Sequence, residues 1–330
     1  MKFCVIDCGT STTRVLIGEG GMVLAKAALP VGVRSTAIRG DNAELKAAIA
    51  KCWRQALAAA KVSPNKIDAV LASGMITSNL GLVELPHLTA PVGLAELRRH
   101  LVERLFPDVL PLPIHFVRGV KNCVQENAPD GFTLADFMRG EETQALGLLH
   151  LPAAEAPFSY VSLGSHTKII GVDREGRIVG SVTTLCSELF AALRERTAIG
   201  DSLPRGNDAS AEQVNISMVY RGFETVQNYG LTRALFVPRL LDVLFPTTPM
   251  DRFSFVEGAL IAADFQSFPL ARRLGLPLER LLIAGHPLRT ALFADLLGRL
   301  PDFHPAIHLV AQKSLNQALL AAAAALVGTE

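Results

Sequence analysis

The chain has 330 residues, 49% hydrophobic and 19% charged, with a formal net charge of +1. Its length suits two domains of about 150 residues each, and its composition excludes wholesale disorder. The near-neutral balance, without a Lys/Arg-rich run, excludes the basic footprint of a nucleic-acid binder, and the longest apolar tract, Ala318 to Val327, is too short and Ala-rich to span a bilayer.

Lys2–Asp7 reads as a strand, Cys8–Thr13 as a glycine turn and Arg14–Ile17 as a second strand. Gly20-Gly21 then turns the chain into a third, Met22–Leu29. This is a β-meander rather than a strand–helix–strand opening. Asp7 interrupts the first apolar stretch too early for a signal peptide, so a cytoplasmic protein is expected. From Asn42 to Lys61, Leu45, Ile49, Trp53 and Leu57 recur at helical spacing, with Asp41 or Asn42 as the N-cap. Ile67–Ala72 is a short strand ending in Ser73-Gly74. Met75–Pro91 reads as a loop, Val92–Leu105 as a helix, Ile114–Val117 as a strand and Arg118–Thr133 as a loop. Glu141–Leu149 is a helix with an acidic first turn.

The Ala/Pro-rich segment Leu151–Pro157 marks a domain boundary, dividing the chain into 1–152 and 153–330. The opening pattern then returns: strand Ser159–Leu163, polar turn Gly164–Thr167, strand Lys168–Asp173, turn Glu175-Gly176, strand Ile178–Thr183. Helices follow at Ser187–Thr197, Ala209–Tyr229, Leu231–Leu244, Arg252–Phe268, Pro287–Leu300 and Lys313–Val327, the last free to pack back on the first domain. Arg280–Ala284 and Ile307–Val310 are short strands. The repeat predicts two related α/β domains with a ligand cleft between them.

Cys4, Cys8, Cys52, Cys123 and Cys186 are odd in number and scattered, which predicts buried reduced thiols rather than disulfides or a zinc site. Val214–Tyr229 is amphipathic enough to mediate a homodimer, although core packing accounts for it equally well.

Five segments carry candidate chemistry. In the first turn, Gly9 brings backbone N–H groups close to an anion, and Thr10, Ser11 and Thr12 add hydroxyl donors. Asp7 at the strand end suits a hydrated Mg²⁺, which takes only one or two carboxylates. A hairpin with an incidental Asp would look the same. The second turn, Gly164, Ser165, His166, Thr167 and Lys168, can cradle the other side of a triphosphate, or be a solvated hairpin tip. Arg139-Gly140-Glu141-Glu142 puts two acids at a helix start. They either complement the helix dipole or supply a base for an attacking hydroxyl, with Arg139 beside them for a carboxylate or phosphoryl group. Thr77, Ser78 and Asn79 follow a strand and are candidate contacts to a polar substrate, or a surface turn. Gly285, between a strand and a helix, can admit adenine or ribose against the backbone, or be a plain turn.

Together these segments resemble the 2-dehydro-3-deoxygalactonokinase family of the sugar kinase/actin/heat-shock-70 superfamily. Met138-Arg139-Gly140-Glu141-Glu142-Thr143-Gln144 is similar to the family's M-R-G-E-E-T-Q without change. Asp7-x-Gly9-Thr10 with Arg14 resembles its first phosphate loop, and Gly74-Met75-Ile76 with Ser78, Glu84 and Pro86 its G-M-x-G-S…E-x-P stretch. Gly164–Lys168 is similar to G-T-H-S-K, and Glu188-Leu189-Phe190 to a following E-L-F. The resemblance implies a two-domain actin/hexokinase-like (ribonuclease H-like) fold with a central cleft holding ATP and Mg²⁺, and transfer to the 6-hydroxyl of 2-keto-3-deoxygalactonate. It implies sugar-acid contacts from Arg14, Met75, Thr77, Ser78, Asn79 and Glu188. A likeness to the S-G-x-E-E of exopolyphosphatases points to Glu142 as the catalytic carboxylate, with Glu141 as the alternative. The chain departs from the family at Cys8, Thr12, Thr77, Leu82, His87, Leu163, Cys186 and Ser187, so the presumed substrate contacts are less well kept than the phosphate loops. An exopolyphosphatase-like phosphohydrolase and a non-catalytic nucleotide- or metabolite-binding homologue are the competing expectations.

Overall fold

A computed structural model of the chain describes residues 1–124, 131–152, 154–204 and 213–328. They group into two compact units. The first comprises Met1–Phe158, Ile170–Ser181 and Gln312–Glu330, the second Ser159–Ile169 and Val182–Ala311.

The chain begins with β1 (Lys2–Cys8), β2 (Thr13–Glu19), β3 (Met22–Leu29), α1 (Val33–Arg39), α2 (Ala43–Ala60) and β4 (Ala69–Gly74). Then come β5 (Leu88–Thr89), α3 (Leu94–Arg99), β6 (Val102–Arg104), β7 (Ile114–Phe116), β8 (Val120–Lys121), α4 (Gly131–Leu134), β9 (Phe137–Met138) and α5 (Glu141–Leu148). The later elements are β10 (Phe158–Leu163), β11 (Thr167–Val172), β12 (Ile178–Thr184), α6 (Cys186–Arg196), α7 (Ile216–Tyr229), α8 (Leu231–Leu244), α9 (Pro249–Phe265), α10 (Phe268–Arg273), β13 (Arg280–Gly285), α11 (Pro287–Leu297), β14 (Ala306–Leu309) and α12 (Gln312–Val327).

The repeat expected from the sequence is present as topology. One sheet runs β3-β2-β1-β4-β7-β6 and another β12-β11-β10-β13-β14. In each, the first strand of a meander pairs in parallel with a later strand ending in glycine: Cys8 is opposite Gly74, and Leu163 opposite Gly285. Alternation along β1 sends Cys4, Ile6 and Cys8 into a core with Ile49, Cys52 and Trp53 of α2. The opposite face meets α12. A Cβ on Gly18 would lie 2.3 Å from Leu320, and one on Gly147 of α5 would lie 2.2 Å from the Ala318 carbonyl, so small residues set these close approaches. Asp7 shares that second face with Phe3 and Val5.

Local chemistry explains where boundaries differ from the sequence reading. The helix expected over 92–105 is confined to Leu94–Arg99 and gives way to β6. The helix expected from Arg252 starts at Pro249, because Thr248 and Asp251 form a capping box with proline at N1, and it breaks before Phe268. The helix expected from Ala209 starts after Asn215, whose side chain caps the Met218 N–H. Residues 209–212 of that expectation lie outside the described residues. Helix α1 and strands β5, β8 and β9 were not anticipated; the three strands have two residues each, too few for any periodicity. All five cysteines are free, but Cys123 is exposed rather than buried. Burial pushes the Cys8 thiol up to about 12, so it is a packing group and not a reactive one. The apolar face of α7 is taken up internally: Gly222 and Gly258 let α7 and α9 approach to backbone contact. Among the described residues no helix is long and apolar enough to cross a membrane.

Candidate active site

The first glycine turn is fixed from behind. Gly9 N–H donates to the Thr12 carbonyl at 2.9 Å, and the carbonyls of Gly9 and Thr10 accept from Val33 (3.2 Å) and Arg34 (2.9 Å). The returning chain passes so near that a Cβ on Gly32 would lie 2.4 Å from the Gly9 oxygen. The hydroxyls of Thr10, Ser11 and Thr12 make no hydrogen bond among the described residues, so they remain available to a ligand. Asp7 is 6% exposed. Its Oδ2 is ion-paired with Arg14, its register partner on β2. Its Oδ1 accepts nothing from the described residues.

Two glycines carry the Thr77–Asn79 and Arg139–Glu142 segments to this turn. Gly74 has φ 93°, and a Cβ there would lie 2.4 Å from the Cys8 carbonyl. Gly140 has φ 107°, and its Cβ would lie 3.1 Å from Gly74 Cα. L-residues rarely adopt such φ values. The first turn, the end of β4 and the start of α5 therefore stack backbone on backbone. Beyond Gly74 the chain makes a 3₁₀ turn, Met75–Thr77. Thr77 Oγ1 donates to the Gly74 carbonyl (3.1 Å) and accepts from Arg139 Nη1 (2.9 Å), while Arg139 Nη2 donates to the Leu85 carbonyl (2.7 Å). Ser78 Oγ donates to the Met75 carbonyl (2.7 Å), Met75 is half-buried and Asn79 is exposed. Arg139 and Thr77 thus brace one another, and Arg14 serves Asp7; none of the three points freely at solvent.

The two acids at the start of α5 differ in access. Glu142 is fully buried: Oε2 accepts from Gly140 N–H at 2.7 Å and Oε1 from Thr143 Oγ1 at 3.2 Å. Burial, and secondarily the charge of Glu141, raise its pKa to about 7. Glu141 is only half-buried.

In the second unit, Gly164 N–H donates to the His166 carbonyl (3.2 Å), and Gly164 and Ser165 are exposed. His166 Nε2 lies 3.3 Å from Glu188. Lys168 is buried and donates to Thr183 Oγ1 at 2.6 Å. A Cβ on Gly285 would lie 2.7 Å from the Leu163 carbonyl, the counterpart of the Gly74 approach. A pocket of about 390 Å³ opens beside this turn, lined by Leu163, Gly164, Phe190, Phe253, His286 and Leu288 among others. Beneath it is a polar cluster that the sequence reading missed. Asp264, fully buried, accepts from Thr167 Oγ1 (2.8 Å) and Thr184 Oγ1, and lies 3.4 Å from Arg289 Nη2. The available signal was Glu257 and Asp264 seven residues apart, hence on one face, in an otherwise apolar helical run. No cluster of three or more His, Cys, Asp or Glu side chains that could hold a metal occurs among the described residues. Mg²⁺ needs no such cage when phosphates and water supply most ligands, and the free Oδ1 of Asp7 fits that role.

A family model for 2-keto-3-deoxy-galactonokinase matches residues 7–322. A search of curated protein sequences returns no match. Among solved structures, the chain is similar to a candidate 2-dehydro-3-deoxygalactonokinase from Sinorhizobium meliloti, with 23% identity over 99% of this chain and 98% of that one and a TM-score of 0.73. It is also similar to component A of (R)-2-hydroxyglutaryl-CoA dehydratase from Acidaminococcus fermentans, with 13% identity over 98% of this chain and 99% of that one and a TM-score of 0.51. These likenesses show the two-domain actin/hexokinase-like α/β fold. The chain belongs to the 2-keto-3-deoxy-galactonokinase family, ATP-dependent phosphotransferases that act on an alcohol group of 2-keto-3-deoxygalactonate.

Proposed function

We propose that this kinase transfers the γ-phosphoryl group of ATP to the 6-hydroxyl of 2-keto-3-deoxygalactonate, with Glu141 as the proton acceptor. The observation that carries this reading is the Gly74–Gly140 contact, which brings the acidic start of α5 to the Asp7 turn. A base must touch the hydroxyl it deprotonates. Glu142 has no exposed surface, whereas Glu141 is partly exposed. We therefore assign proton transfer to Glu141 and the bracing of the Gly140 turn to Glu142. The acceptor oxygen bonds to the γ-phosphorus, its proton passes to Glu141, and the bond from phosphorus to the ADP oxygen breaks.

The hydroxyls of Thr10, Ser11 and Thr12, with the Gly9 backbone, are assigned to ATP phosphates, as is the turn at Gly164, Ser165 and His166. Thr167 and Lys168 support that second turn from below. Asp7 would hold Mg²⁺ through water, and the ion would offset phosphate charge. We assign the base and ribose to the pocket beside Gly285, against the wall that Phe190 and Phe253 form. Sugar-acid contacts are assigned to Met75, Ser78, Asn79 and Glu188, with Arg14, Thr77 and Arg139 holding the site's shape.

The test is product analysis with ³¹P NMR after incubation with ATP and 2-keto-3-deoxygalactonate. A phosphoester coupled to the two C6 protons is expected. A phosphoester elsewhere on the sugar refutes the regiochemistry, and phosphate release at the same rate without any sugar acid refutes the kinase reading in favour of a hydrolase.

A further inference from the structure

The pocket of the second unit contains an imperfectly matched pair. Glu257 and Arg289 both line it and are 7% and 8% exposed. Arg289 Nη1 lies 3.8 Å from Glu257 Oε2, beyond hydrogen-bond reach. Glu257 Oε2 and Arg289 Nε are buried without a hydrogen-bond partner among the described residues. Folded proteins pair nearly all such groups, so an acceptor and a donor left over side by side in one pocket point to a ligand. Arg289 is anchored from behind through Asp264, itself tied to Thr167 and Thr184. The neighbouring wall is apolar: Phe190 and Phe253 meet edge to face at 5.8 Å, with Leu163 and Leu288 beside them. A flat ring with one hydrogen-bonding edge matches both features.

We propose that Glu257 and Arg289 read the edge of the nucleotide base and select adenine over guanine. This rests on the placement of the base in the same pocket. Adenine presents an N6–H donor beside a ring-nitrogen acceptor, whereas guanine presents the O6 acceptor where adenine has its amine. Glu257 accepts from N6–H, and Arg289 donates to the adjacent ring nitrogen. With guanine, the carboxylate and O6 would face one another with no proton between them, and this repulsive element supplies the selectivity. Burial pushes the Glu257 pKa up, and the Arg289 charge opposes that shift by favouring the carboxylate.

The experiment compares kcat/KM for ATP, GTP and 2′-deoxy-ATP, at saturating sugar acid, in the wild type and in Glu257→Gln. A ratio of two nucleotides in one preparation is independent of the folded fraction, so partial misfolding does not disturb it. The wild type should prefer ATP over GTP by roughly tenfold to a hundredfold, the discrimination of one good edge contact. Glu257→Gln offers an N–H to O6 and should cut that ratio about tenfold, with the ATP to 2′-deoxy-ATP ratio unchanged. An unchanged ATP to GTP ratio overturns the proposal, and so does a shift confined to 2′-deoxy-ATP, which would put the pair on the ribose. Leu288→Trp, which fills the pocket, separates this from the underlying placement. It should raise the KM for ATP at least tenfold; an unaltered KM there means that the base does not enter the pocket at all.

Discussion

The turn after β1 and the turn after β10 sit on equivalent strands but are built from different chemistry. Each follows the first strand of a meander, and each lies beside a glycine whose missing side chain lets two strand ends touch: Gly74 against Cys8, Gly285 against Leu163. The first turn carries charge. Asp7 stands where the second sheet has Ser162, and Gly140 brings two more carboxylates to it. The second turn has no acid of its own. It is steadied by hydroxyls tied to the buried Asp264, and its pocket is largely apolar. On the proposed assignment one scaffold serves two tasks: acid–base chemistry needs poised carboxylates, whereas holding a flat ring needs apolar walls and a few fixed polar groups.

The sharpest way to break this contrast is Glu141→Gln. Losing a general base should lower kcat by about 10²–10⁴-fold while leaving ATP affinity, measured by calorimetry, close to wild type. Retained turnover would move the base elsewhere. Next are the two glycines. Gly74→Ala should cost about 3 kcal/mol or more, because φ 93° is strained for alanine and the methyl group meets the Cys8 backbone. Since Gly140 rests on Gly74, kcat should fall as well. Gly285→Ala should cost about 1–3 kcal/mol and act on the KM for ATP instead. Equal kinetic signatures in the two variants would erase the division of labour.

Glu142 gives a third test through pH. Its pKa rises from the ordinary 4.5 to about 7 on folding, so the native state binds more protons than the unfolded chain between those values. Stability is accordingly lost as pH rises from about 4.5 to about 7, by about 3 kcal/mol in all. Glu257, raised by the same cause, adds a slope of the same sign. Glu142→Gln keeps one oxygen to accept from Gly140 N–H, turns the other position into a donor towards Thr143 Oγ1, and should remove most of the slope, leaving the variant more stable than wild type at pH 8 in thermal melts. The smallest effect expected is from Thr167→Val. It removes one hydrogen bond to Asp264, costs about 1–2 kcal/mol and raises the KM for ATP by a few fold.

Features with a local signature were legible in the sequence. Both meanders, both glycine turns and α2 follow from turn residues and apolar periodicity. The meeting of Gly74 with Gly140 was not legible, because nothing in either segment names the other; only the parallel pairing of β1 with β4 and the path into α5 join them. The family likeness implies Arg14 as a sugar-acid contact, and Arg139 beside two acids suits a carboxylate or phosphoryl group. The partners they have in the fold, Asp7 and Thr77, depend on strand register and on the 3₁₀ turn inside a segment read as a loop. Glu257 and Asp264 were visible as acids in an apolar helix, but the pocket that gives them meaning is closed by Arg289 from another element.

The helix α12 has a consequence for how the molecule is made. Its residues Leu315, Ala318, Leu319 and Leu320 are buried in the first unit, against β2 and α5, although the helix comes after the whole of the second. During synthesis, then, the first unit emerges from the ribosome with one side of its sheet uncovered. It waits for α12, translated after the second unit, before that side is sealed. The exposed face of β1, β2 and α5 during that interval is the stretch on which a chaperone would have time to act.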